Sequence, residues 1–219
     1  MNHLSSHFLF FLETILFTSV VLMHLTKKNF TVILLYTVQS LVVSGVLFYS
    51  SIQEASFLLF IVAAMTFIVK VGIAPYFFFK LIKLHRLQFS VSTYLNSPMT
   101  FIVIALLTAF TYSHYFRKLT ILSPSNGDAL LLSMSMIFIA IFLTVNRKGA
   151  LSQMVGILSF ENAIVSFAYI TGLETNAGAE VGILFIIFIW IIIATVFASM
   201  IYTHFGTLNV SQMKNLKEE

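Results

Sequence analysis

GALSQMVGILSFENAIVSFAYI, Gly149 to Ile170, is an apolar run that carries one carboxylate, Glu161. At 1.5 Å per residue, a helix of about 20 residues crosses the ~30 Å hydrocarbon layer of a bilayer. Glu161 then lies roughly 16–20 Å in from the end that Arg147 and Lys148 mark, near the midplane. Helical spacing puts Ser152, Ser159, Asn162, Ser166 and Tyr169 on one side. It turns Glu161 nearly the opposite way, among Ile157, Leu158, Ile164 and Val165. A carboxylate facing lipid at that depth costs several kcal/mol, on the order of an unpaired polar group in hydrocarbon, so Glu161 should face another helix or another subunit. Its partner is expected on a different helix from the one that the serine stripe contacts.

The rest of the chain suits that setting. Of its residues 59% are hydrophobic and 9% charged, and the mean hydropathy is +0.98; soluble domains carry about 25% charge. The expected class is an all-α polytopic membrane bundle forming one domain over residues 1–219. There is no cysteine, so neither disulfides nor thiolate metal chemistry is available. The net charge of +4 comes from pairs and triplets of basic residues between apolar runs. That pattern reads as topology and not as a nucleic-acid patch. MNHLSSHF lacks the basic start of a cleavable signal, so the first apolar run is expected to remain as a membrane helix.

Seven apolar runs are expected as helices: about 7–25, 30–51, 55–79, 98–115, 129–146, 150–171 and 181–206. Alternate ends hold Lys27, Lys28, Lys80, Lys83, Arg86, Arg147, Lys148, Lys214 and Lys217 on one side. Arg117 and Lys118 stand on the other. The positive-inside rule then predicts the N-terminus outside and the C-terminus cytoplasmic, which an odd number of helices requires. Arg117 to Asp128, with its SPSNGD cluster, reads as an outer loop. The sequons at Asn29 and Asn209 fall on the cytoplasmic side and are discounted.

Lys70, in FIVKVGIAPYFFFKLIKLHR, is the second anomaly. Ala63, Thr66 and Ala74 share its face and leave room for a close neighbour. Pro75 removes a backbone donor and clashes one turn back, so a break or kink is expected beside the lysine. Snorkelling to Lys80 would have to cover ten residues, roughly 15 Å, with a stem of ~6 Å. A buried role is therefore expected. Glu13 shares a face with Ser6, Phe17, Val20 and His24 and lies roughly two turns from the outer surface. There it either reaches water at the headgroups or has a function of its own. His24 reads as an interfacial histidine beside Lys27 and Lys28. Tyr36, Gln39, Ser40 and Ser44 read as interhelical hydrogen-bonding and packing residues.

Asn96-Ser97-Pro98 predicts a helix start with a cap and an N-terminal proline, and His114 closes that helix near the outer surface. Gly178 with Gly182, and Ala194 with Ala198, have the spacing that lets helices approach closely, and Trp190 is placed to pack against a neighbour. Glu180 reads as a solvated residue of the outer loop. No glycine-rich phosphate loop, histidine metal motif or nucleophile-base pair appears, which leaves no basis for a conventional enzyme.

Arg147-Lys148, Ser152-Gln153, Gly156-Ile157, Glu161-Asn162 and Glu180-Val181-Gly182 together resemble the C-terminal half of the hydrogenase-4 component E family. The helix pair is also similar to the last two helices of the smallest antiporter-related subunit of respiratory complex I, where buried glutamates are implicated in proton transfer. TVQSLVVSGVLF and the Lys70–Pro75 stretch resemble earlier helices of the same component, and KVGIAPYFFF is similar to a run in the longer antiporter-like subunits. The family often has an acidic residue about six positions after the second glutamate; Ile186 stands there in this chain.

The resemblance implies a cofactor-free membrane subunit of a complex I-related, group 4 hydrogenase-type oxidoreductase in the cell inner membrane. It would help couple electron transfer to proton or sodium movement. Iron–sulfur and nickel–iron centres would sit in partner subunits: a peripheral redox arm, antiporter-like subunits and quinone-site-type subunits. Glu161, Lys70 and Glu13 are the proton-transfer candidates, supported by Asn162, Gln153, Pro75, Thr66 and Glu180. A stand-alone secondary transporter, a purely structural spacer and an antiporter-like complex I subunit are the alternatives. Glu161 would be neutral at rest unless a cation such as Lys70 approaches it.

Overall fold

The computed structural model describes residues 6–86, 93–172 and 177–209, and of residues 177–189 and 193 the backbone alone. The chain is all-helical with no strand among the described residues. Its principal helices are α1 (Ser6–Leu25), α2 (Asn29–Gln53), α3 (Phe57–His85), α4 (Ser97–Thr111), α5 (Gly127–Asn146), α6 (Ala150–Thr171) and α7 (Ala177–Phe205). Five helices are long and apolar enough to cross a membrane. A sixth span results if the bent pair Ser97–Thr111 and His114–Leu122 is one crossing, and Trp190–Phe205 is a shorter apolar helix.

The outer surface explains why such a bundle belongs in lipid. Phe11, Leu41, Phe57, Phe101, Leu106 and Val145 are all exposed, a surface that a soluble monomer does not present. The interior is conversely rich in small and polar residues: Ser19, Ser40, Ser44, Ser133, Ser135, Ser159 and Asn162 are buried beside Ala63, Ala140 and Ala163. Where lipid tails are as apolar as leucine, close packing and interhelical hydrogen bonds hold helices together. α5 comes close to α6 at one glycine. A Cβ placed at Gly156 would come within 2.6 Å of Thr144 Oγ1 and 3.1 Å of its backbone nitrogen.

The basic ends of the helices meet. Tyr94 N–H, before α4, donates to the carbonyl of Asn146 at 2.9 Å, and Leu95 N–H donates to its side-chain oxygen at 2.9 Å. Ala150 N–H, opening α6, donates to Leu208 O at 3.2 Å. Arg147, taken from the sequence as a marker of the water interface, is instead 2% exposed. Its guanidinium donates to Met23 O and, at 2.8 Å, to Thr26 O, satisfying carbonyls at the end of α1. Burial pushes it down to about 10, so it stays charged at neutral pH. A pair of basic residues between two apolar runs looks the same in sequence whether one of them turns inward or not.

Two further expectations change. The fourth run does not continue to His114. It stops at Thr111 and turns by 43° into His114–Leu122. The supposed outer loop is largely short helical turns, His114–Arg117, Lys118–Leu122 and Pro124–Asn126. Phe116 and Leu119 give these turns apolar anchors against Leu9, Leu130 and Ile170. The cap held: Asn96 accepts from Met99 N–H at 3.0 Å, with proline in the first turn.

Pro75 does not break α3. The strain is absorbed in a π-helical segment, Phe67–Ile73, ending just before Ala74 and Pro75. Buried residues recur there as Val62, Thr66, Lys70, Ala74 and Phe78, every fourth position. A regular α-helix would rotate that row by about 40° per step. The wider π turn, with its i to i+5 bonding, keeps the row on one face.

Candidate functional site

Lys70 sits inside the π segment, 1% exposed, and its amine is paired with Glu161 of α6. It also donates to Asn162 Oδ1 at 3.1 Å. The Asn162 amide in turn donates to Ser40 Oγ of α2 at 3.1 Å. One charged network therefore ties α2, α3 and α6 at mid-height. Glu161 is about 15–16 Å from either end of its helix at 1.5 Å per residue. Thr66, one turn before Lys70, is buried at 2% exposure, and Tyr36, fully buried, lies in the electrostatic field of Glu161 and beside Ser40. Residues in the middle of a lipid-embedded bundle are paired in this way because an isolated charge there is costly.

Glu161 meets α3, while the Asn162 amide and Ser166 of the polar stripe meet α2 and α1, as expected; the exception is Asn162 Oδ1, which shares Lys70 with Glu161. Glu161 and Asn162 lie about 100° apart on α6, and the long lysine stem reaches the gap between them. Glu161 keeps 18% exposure, and its neighbours Ile157 and Ile164 are exposed while Leu158 is buried. The carboxylate thus stands at the rim of the bundle, its pairing side inward and an edge outward.

Glu13 is not at the water interface. It is 3% exposed, and Ser166 of α6 donates to its Oε1. α1 packs so that the face with Glu13, Val20 and His24 turns inward. Depth from the helix end does not reveal this. His24 is likewise buried, at 5% exposure: its Nε2 lies 3.1 Å from Ile139 O, and its ring stacks on Phe142 at 4.9 Å. Its position beside Lys27 and Lys28 in the chain did not make it interfacial, because the chain turns sharply after Leu25.

The serine stripe of α6 proves to be an internal polar file. Ser152, Ser159, Asn162 and Ser166 are all buried, spanning fourteen residues or about 21 Å. The Oγ atoms of Ser152 and Ser159 have no hydrogen-bond partner among the described residues. Gln39 extends the file towards α1, its amide donating to Leu16 O at 3.2 Å. Gln153 stands outside it: its amide donates to Arg147 O at 2.8 Å, bracing the turn before α6. Pro75 is buried just after the π segment that carries Lys70. Trp190 packs against the core, as expected. The side chains of Glu180 and Ile186, and those of Gly178 and Gly182, lie outside the described residues, as does Glu174 altogether.

Two groups were missed in the sequence as members of this site: Ser40 and Ser166. Both are common packing residues in membrane helices. Only their shared face with Gln39 and Asn162 signals more. No family model, curated protein or solved structure matches this chain.

Proposed function

We propose that this chain is a membrane subunit that moves protons, or sodium ions, through exchange at the Lys70–Glu161 pair. The observation that carries the reading is that pair itself. A lysine and a glutamate meet at mid-height, inside a π segment, and are joined to Asn162 and Ser40. Intramembrane ionisable groups mark ion pathways and proton relays, and π segments recur at functional sites.

The chemistry follows from the arrangement. With the pair closed, amine and carboxylate stabilise each other's charge. If Lys70 moves towards Asn162, Glu161 loses its counter-charge in a poorly hydrated place and takes up a proton. When the pair closes again, the proton leaves. The outward edge of Glu161 gives that proton a way to or from a neighbouring chain. The buried file of Ser159, Asn162 and Ser166 leads along α6 to Glu13, the second carboxylate in reach of exchange.

The larger assignment rests on the resemblance of the sequence. On it the chain serves a complex I-related, group 4 hydrogenase-type oxidoreductase of the inner membrane, with redox centres in partner subunits. The C-terminus would then face the cytoplasm.

Glu161→Gln in the intact assembly, reconstituted in proteoliposomes, tests the proposal. Assembly and redox turnover with an artificial acceptor should persist, and ion pumping should be lost. Full pumping in a correctly assembled variant would leave the pair a structural brace and the chain a spacer.

A further inference from the structure

A second feature lies at the basic end of the bundle, away from the central pair. A cavity of about 210 Å³ opens there, room for roughly seven waters at ~30 Å³ each. Two long helices begin on its wall. Asn29 is the first residue of α2, and Gly149 and Ser152 flank the start of α6. Neither start is capped by a side chain, since Lys28 and Gly149 occupy the cap positions without a side-chain hydrogen bond. Helix starts of this kind present backbone N–H donors and a partial positive charge. Arg86, at the end of α3, adds a full positive charge to the same wall.

Helix starts alone do not identify a ligand, but Ser152 adds an independent sign. Its side chain is 2% exposed, it lines the cavity, and its Oγ has no hydrogen-bond partner among the described residues. A buried hydroxyl without a partner is destabilising, so it is matched to whatever fills the cavity. His85 is not free to serve it: its Nε2 lies 3.0 Å from Ser199 Oγ, and its ring sits 4.3 Å from that of Tyr202. The ends of α3 and α7, where a helix leaves carbonyl groups without intrahelical partners, also reach this wall. An anion that carries donor groups as well as acceptor oxygens suits such a lining better than a bare halide.

We propose that this cavity binds a phosphate group, either free or in the headgroup of a glycerophospholipid. Ser152 Oγ, the first-turn amides of α2 and, since Ala150 N–H is given to Leu208 O, those of Leu151 and Ser152 in α6 donate to its oxygens, and Arg86 balances its charge. The level suits a headgroup, because the site lies where spanning helices end beside Lys28, Lys83 and Lys148. The site stands whether or not the central pair moves ions.

The full chain, purified in a neutral detergent free of phosphate, provides the test. One arm titrates inorganic phosphate against chloride at matched ionic strength. The other adds phosphatidylglycerol or, as control, phosphatidylcholine, with bound ligand counted by native mass spectrometry. One phosphate-bearing ligand per chain is expected, with affinity at least tenfold weaker in Ser152→Ala and in Arg86→Gln. Without ligand, both variants should melt no lower than the parent. Saturable binding in the phosphate arm assigns a free anion. Binding confined to phosphatidylglycerol assigns a headgroup. No saturable binding in either arm, or binding unchanged in both variants, overturns the proposal. Should Ser152→Ala fail to fold, Ser152→Thr, which keeps the hydroxyl, and Arg86→Gln decide: binding retained in the first and lost in the second supports it, and any other pattern overturns it.

Discussion

The amine of Lys70 and the carboxylate of Glu161 meet halfway along their helices, the lysine 1% and the glutamate 18% exposed. The lysine is sealed in, and the acid keeps an edge. A symmetric, fully enclosed pair would only hold α3 to α6. This one leaves the carboxylate accessible at the rim, and its two members should respond differently to mutation.

Removing one member strands the other. Lys70→Met should destabilise the chain by about 3–5 kcal/mol, the range for a broken buried pair. Lys70→Met with Glu161→Gln should recover most of that loss, because no charge is left buried. Thermal melts of the three proteins in one detergent check it; a double variant as weak as Lys70→Met alone would mean that the stem of Lys70, and not its charge, holds the helices.

Ser166 and Glu13 form a second, smaller test. Ser166→Ala takes the donor from a buried carboxylate and should cost about 1–3 kcal/mol. Glu13→Gln in that background should restore part of it, as the amide carries its own donors and loses less on burial. Chemical denaturation of the single and double variants gives the coupling between the two positions.

Arg147 should matter more than its neighbour. Arg147→Met leaves the carbonyls of Met23 and Thr26 without their donor and should cost about 2 kcal/mol or more. Lys148, whose amine lies 4.9 Å over the ring of Tyr94, should lose about 0.5–1 kcal/mol as Lys148→Met. Equal effects in a melt would show that the two act merely as an interfacial pair.

Gly156→Ala should be harmful and Gly45→Ala harmless. The first drives a methyl group against both the side chain and the backbone of Thr144; overpacking of that kind costs about 1–3 kcal/mol. Nothing lies within 4 Å of a Cβ at Gly45. Comparing their unfolding midpoints tests the close approach of α5 and α6 directly.

Orientation is testable by cysteine labelling, since the chain has none of its own. An impermeant reagent applied to the cytoplasmic face should label cysteine introduced at Lys83 and not at Asn126. The reverse pattern would invert the assigned topology.

Much of this was visible in the sequence for a simple reason. Lipid demands long apolar helices, and a lysine in one of them has few places to go. Lys70, Thr66 and the cap at Asn96 were legible because depth and local chemistry define them. Glu13, His24 and Arg147 were not, since each lies near the end of a helix, where only tertiary packing decides between water and interior. The break expected at Pro75 was half legible. The proline announces a missing bond, but the buried row at every fourth residue, Val62 to Phe78, announces how the helix absorbs it.

That row has a consequence for how α3 tolerates change in length. A π segment is equivalent to one residue inserted into an α-helix, so α3 carries a phase offset at its centre. Deleting a single residue between Val71 and Ile73 would let the helix relax to the α form. Everything beyond would then keep its rotation towards the bundle. A substitution to a longer α-forming stretch without the deletion would swing Phe78 and Leu81 out by about 100° and bring Phe77 and Lys80 in. The helix around Lys70 is thus set like a gear with one tooth added: its two halves mesh with the bundle only while the extra tooth stays beside the charge.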